Sequence, residues 1–67
     1  MKLYNVVVEE NGIKTKMLTG LSMFDATEAL LQKGRENNWQ CYWSNTGIYF
    51  RDGLNRVWKI AYSKSVK

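Results

Sequence analysis

"LYNVVVEENGIKTKML", residues 3–18, is the stretch that decides the fold. Its centre is Asn11-Gly12, the pair favoured in a two-residue type I′ turn because both central positions need a positive φ. The flanking residues suit strands, so the stretch reads as a β-hairpin. The turn sets the register: Glu10 opposes Ile13, Glu9 opposes Lys14, Val8 opposes Thr15, Val6 opposes Met17 and Tyr4 opposes Thr19. One face then carries Tyr4, Val6, Val8, Ile13 and Met17. The other carries Val7, Lys16, Leu18 and the Glu9–Lys14 charge pair.

Downstream, "TGLSMFDATEALLQKGRENN" (residues 19–38) reads as the only helix. Ser22 and Asp25 are both candidate N-caps, each followed three residues later by an acidic side chain. Met23, Ala26, Leu30 and Gly34 share one stripe, flanked by Phe24, Thr27 and Leu31. The stop is expected near Asn37-Asn38, since Asn tolerates the left-handed conformation that ends helices. Gly34 costs about 1 kcal/mol against Ala inside a helix. It therefore marks either close approach to a sheet or an earlier end.

From Trp39 the pattern is extended again. Trp39, Cys41 and Trp43 alternate with Gln40, Tyr42 and Ser44. A turn at Asn45-Thr46-Gly47 leads to Ile48–Arg51, and Asp52-Gly53 opens a second turn before Arg56–Tyr62. Setting Ile48 and Phe50 on one face with Trp58 and Ile60 requires a loop with an odd number of residues, such as Asp52-Gly53-Leu54. The architecture predicted is α+β: five antiparallel strands in the order ββαβββ, with one helix packed on one face of the sheet. The first hairpin can join the rest through the third strand or the fifth. Residues 1–62 are expected to form a single domain and 63–67 a flexible basic tail.

A chain of 67 residues is near the lower limit for one hydrophobic core. Cys41 is the only cysteine and there is no histidine. An intramolecular disulfide is thereby excluded, as are the usual zinc ligand sets. The inward aromatics Trp39, Trp43, Phe50, Trp58 and Tyr62 are accordingly expected to be core, with Cys41 a small buried apolar residue among them. The longest aliphatic runs, Val6-Val7-Val8 and Ala29-Leu30-Leu31, are too short for a signal peptide or a membrane helix. A soluble, cytoplasmic protein with no membrane partner is the expectation.

Nothing points to catalysis. Cys41 lacks a histidine base, and Asp25 and Glu28 are explained as partners of the helix N-terminus. "NTGIYFRDG" (residues 45–53) has no phosphate-binding spacing. The reading is therefore a protein that is not an enzyme and takes no cofactor and no metal.

One surface stands out. A single helix covers one face of a five-stranded sheet, and the reverse face collects Tyr42, Tyr49, Arg51, Val57 and Lys59, with Lys14, Lys16, Val7 and Leu18 from the first hairpin. Gln40 and Ala61 belong to the same side. The net charge is +4, and all of it lies in residues 39–67, since the acidic and basic residues of 1–38 balance. The expected function is a protein-binding inhibitor or adaptor module, small and non-enzymatic, of the kind phages and mobile elements encode, with a larger protein docked on this face. The alternative is a single-stranded nucleic-acid-binding domain with the tyrosines stacked on bases and the cations on phosphates. A homodimer through the sheet face or an edge strand is a third arrangement.

Overall fold

A computed structural model describes residues 2–45 and 47–65, the last two by backbone alone. The elements are β1 (Lys2–Glu10), β2 (Ile13–Leu21), α1 (Met23–Asn37), β3 (Gln40–Ser44), β4 (Gly47–Arg51) and β5 (Val57–Ser65). They form one antiparallel sheet of order β2-β1-β5-β4-β3 with α1 across it, the α+β arrangement expected. The first hairpin joins the others through β5, which resolves the open strand order. β5 runs three residues past Tyr62, so the stretch expected to be a tail begins as strand. Its Lys64 and Ser65 pair with Leu3 and Lys2, while Val66 and Lys67 lie outside the described residues.

The hairpin turn has Asn11 at φ 53° and Gly12 at φ 81°, the left-handed pair the sequence requires. Register follows the prediction from Glu10–Ile13 through Val7–Lys16 and then slips twice. Val6 faces Leu18 rather than Met17, and Tyr4 faces Leu21 rather than Thr19. These are β-bulges, in which an extra residue on one strand shifts every side chain beyond it. Gly20 takes φ 71° at the second slip and donates its N–H to the buried Asn5 side-chain oxygen at 3.4 Å. Leu18, expected on the open face, is thereby carried to the side of Val6, which is the helix side.

Ser22 is the N-cap of α1: its Oγ accepts the Asp25 N–H at 3.1 Å. Asn38 closes the helix at φ 56°, as the stop signal predicts. Ala26, Leu30 and Gly34 are the buried stripe, resting on Val6, Val8, Phe50 and Trp58. Gly34 is a close approach and not an early end, because a Cβ there would overlap the Phe50 ring. The helix packs chiefly on β1, with lesser contact to β5 and β2. A helix is about 10–12 Å across, whereas five strands at about 4.8 Å spacing span roughly 19 Å.

That mismatch overturns part of the expected core. Phe50 and Trp58 are buried and Trp39 packs against them, but Trp43, on the edge strand β3, is 80% exposed. Tyr62 is 56% exposed for a different reason: it lies on the central β5 but past the residues that pair with β4, and its ring meets Tyr4 of β1 at 5.6 Å. Cys41 is also exposed, because β3 is an edge strand beyond the reach of α1. Ile13 and Met17, on the opposite edge, are exposed for the same reason.

The β4–β5 connection has odd parity, as predicted, but contains five residues (52–56), and Phe50 pairs with Trp58. Asp52 explains the extra length. Its Oδ1 accepts the Leu54 and Arg56 N–H groups at 2.9 Å each, and its Oδ2 accepts Arg56 Nε and Trp58 Nε1 at 2.8 Å each. The side chain is only 2% exposed. Burial alone would raise its pKa, yet the bonds from Trp58, Arg56 and Leu54 outweigh this and hold it at about 2.

Candidate functional site

On the face away from α1, strand pairing lines the side chains up in rows. One row runs Lys16, Val7, Lys59, Tyr49, Tyr42; the next runs Lys14, Glu9, Val57, Arg51, Gln40. Eight of the nine residues singled out in the sequence thus share one face. Leu18 is the exception, through the bulge already described. Val7 is on the predicted face but is only 3% exposed. It lies between Lys16 and Lys59, whose long stems can cover a small apolar neighbour. Val7 therefore supports the face and cannot serve as an anchor for a partner.

Tyr42 and Tyr49 are direct cross-strand neighbours, and their rings stack with centroids 5.2 Å apart and planes at 12°. The Arg51 guanidinium carbon lies 5.7 Å from the Tyr42 ring centre, one residue pair along the same strands. Both tyrosines are half-buried, which leaves area to bury further. At the middle of the sheet, Lys59 Nζ lies 2.7 Å from Glu9 Oε1. The Lys59 hydrogen bond and charge, with a contribution from Lys14, hold the Glu9 carboxyl below its usual range.

A shallow groove of about 520 Å³ crosses this face between the Asn11-Gly12 turn, Asn55 of the β4–β5 loop and the Tyr49–Arg51 strand. Asn55 adopts φ 62°, fixed by its N–H bond to the Asp52 carbonyl at 3.1 Å. Asp52 is the residue that sequence reading undervalued, having given it only the opening of a turn. The usable signal was an Asp opening a loop with Arg and Trp four and six residues later, close enough to satisfy a folded-back carboxylate.

The face carries hydrogen-bonding, aromatic and cationic groups, and the Asp52 carboxylate in the adjoining loop accepts four hydrogen bonds. Among the described residues no three potential metal ligands gather, and no helix is long and apolar enough to cross a membrane. No protein-family model, curated protein or solved structure matches the chain.

Proposed function

We propose that this chain is a non-catalytic cytoplasmic binding protein that docks on a larger protein through the open sheet face, acting as an inhibitor or adaptor module. The observation that carries the reading is the stacked Tyr42–Tyr49 pair under Arg51, set beside a Lys59 already paired with Glu9. Tyr and Arg are the side chains that most often supply binding energy at protein interfaces. An aromatic side chain buries about 150–250 Å², so this pair with Val57 forms a compact apolar centre. Lys14 and Lys16, on the edge strand β2, make a polar margin of the kind interfaces have, while the third cation, Arg51, belongs to the centre beside Tyr42 and Val57.

Single-stranded nucleic acid is the second reading, favoured by those three cations and by the charge excess of residues 39–67. Two features weigh against it. Lys59, the most central cation, is matched by a carboxylate, and each tyrosine already has a ring on one of its faces. A base would have to displace a neighbour to stack.

The test is affinity capture with mass spectrometry of both protein and nucleic acid, using wild type and a Tyr49→Ala/Arg51→Ala double variant. A protein retained by the wild type and lost from the folded double variant supports the reading. Retention by both chains, or recovery of nucleic acid that falls steeply with salt, counts against it.

A further inference from the structure

The two outer strands are built differently. β2 has two register slips and carries Lys14 and Lys16, features that discourage pairing with another chain. β3 is regular from Gln40–Arg51 through Ser44–Gly47 and contains neither charge nor proline. In a hairpin closed by a two-residue connection, the Ser44–Gly47 pair is hydrogen-bonded, and bonded pairs alternate from there. Gln40, Tyr42 and Ser44 thus turn their backbone groups towards β4. The N–H and C=O groups of Cys41 and Trp43 point outward.

We infer that the chain self-associates through β3, pairing it antiparallel with β3 of a second copy and seating each Trp43 in a groove of the other molecule. A two-fold axis at Tyr42 is the arrangement that overlaps the whole strand. It sets Gln40 against the second copy's Ser44, Tyr42 against Tyr42, and Cys41 against the second copy's Trp43. The outward groups of Cys41 and Trp43 then satisfy one another, polar ends meet polar ends, and a small side chain faces a large one. Because β3 itself carries no charge, the two paired strands place no like charges opposite one another.

The receiving groove is present in the monomer. Cys41 lines a hollow of about 380 Å³ between β3 and the C-terminal half of α1, with Leu31, Gly34, Arg35, Trp39 and Phe50. Antiparallel pairing delivers the incoming indole to this position, on the helix side where Trp43 stands 80% exposed. Leu31, Trp39 and Phe50 offer apolar contact, and Arg35 offers a cation to the ring. A strand from an unrelated protein would meet the same backbone edge without the reciprocal tryptophan. Two aromatics at about 150–250 Å² each and a short ladder fall below the roughly 1,600 Å² of a standard interface. The dimer is therefore concentration-dependent and not obligate. It also brings the two Tyr42–Tyr49 stacks side by side, although pairing does not depend on a partner binding there.

Sedimentation equilibrium from low-micromolar to near-millimolar protein tests this. The average mass should climb from 7.8 kDa towards twice that value. Trp43→Ala, with an unchanged circular dichroism spectrum, should remain at the monomer mass. The pairing is checked by mixing Gln40→Cys and Ser44→Cys chains, each also carrying Cys41→Ser. Under mild oxidation the mixture should give the heterodimer, and neither chain alone should cross-link. A wild type that stays monomeric throughout, a Trp43→Ala variant that associates as wild type does, or a mixture that fails to cross-link would overturn the inference.

Discussion

Trp58 and Trp43 point to the same side of one sheet from strands two places apart, yet one is 5% exposed and the other 80%. Trp58 lies on the central strand. It packs on Trp39 with ring centres 4.9 Å apart and gives its N–H to Asp52, while the Lys33 ammonium lies 5.7 Å from its ring centre. Trp43 lies on the edge strand, beyond the helix. Facing inward and being buried are therefore separate properties, and the second depends on how far the covering layer extends.

Trp58→Ala should have the largest effect. Removing a buried aromatic costs about 3–5 kcal/mol, against a total stability of roughly 3–10 kcal/mol for this length at ~0.05–0.15 kcal/mol per residue. Denaturant titration should find the variant largely unfolded or near its midpoint in buffer. Intact unfolding at the wild-type midpoint would show that Trp58 is not the centre of the core.

Asp52 gives the same region a pH signature. Its folded pKa of about 2 lies below the ordinary 3.8, so its contribution is complete above about pH 4 and is lost as pH falls through 2. The difference corresponds to about 2 kcal/mol. Stability measured from pH 5 to pH 2 should drop by at least this amount in the wild type, since the lowered Glu9 carboxyl loses its contribution in the same direction. Asp52→Asn should be weaker at neutral pH and flatter over the same range.

Gly34→Ala should destabilise despite a gain of up to ~1 kcal/mol in helix propensity. The added methyl meets the Phe50 ring, and overpacking of this kind costs about 1–3 kcal/mol. A higher melting temperature in the variant would mean that the helix sits further from β4 than described. Trp43→Ala should change monomer stability least, within ~0.5 kcal/mol as for other exposed positions.

The elements of the fold were legible in the sequence because their signals are local. Asn11-Gly12 fixes a turn and the pairs nearest it, Ser22 and Asn38 bound the helix, and the parity of Phe50 and Trp58 dictates an odd loop. What escaped reading depends on contacts across the fold. The slips at Met17 and Gly20 become intelligible only with Asn5 buried beside Gly20. The length of the β4–β5 loop is set by a carboxylate that reaches Trp58. Which residues share the open face was readable wherever simple alternation holds, but the Tyr42–Tyr49 and Val57–Arg51 pairings were not, because they depend on the lengths of the two connections. Alternation failed at Leu18, where it is interrupted, and it says nothing of depth at Val7, which lies on the expected face but is buried.

The unequal cover of the two tryptophans can be measured directly by fluorescence in dilute protein. Subtracting the spectrum of Trp43→Phe from that of the wild type isolates the Trp43 emission. It should be red-shifted and strongly quenched by iodide, while the remaining emission is blue-shifted and protected. A Trp43 contribution that is blue-shifted and shielded from iodide at the lowest concentrations would contradict the account, because the monomer's own core would then extend to β3.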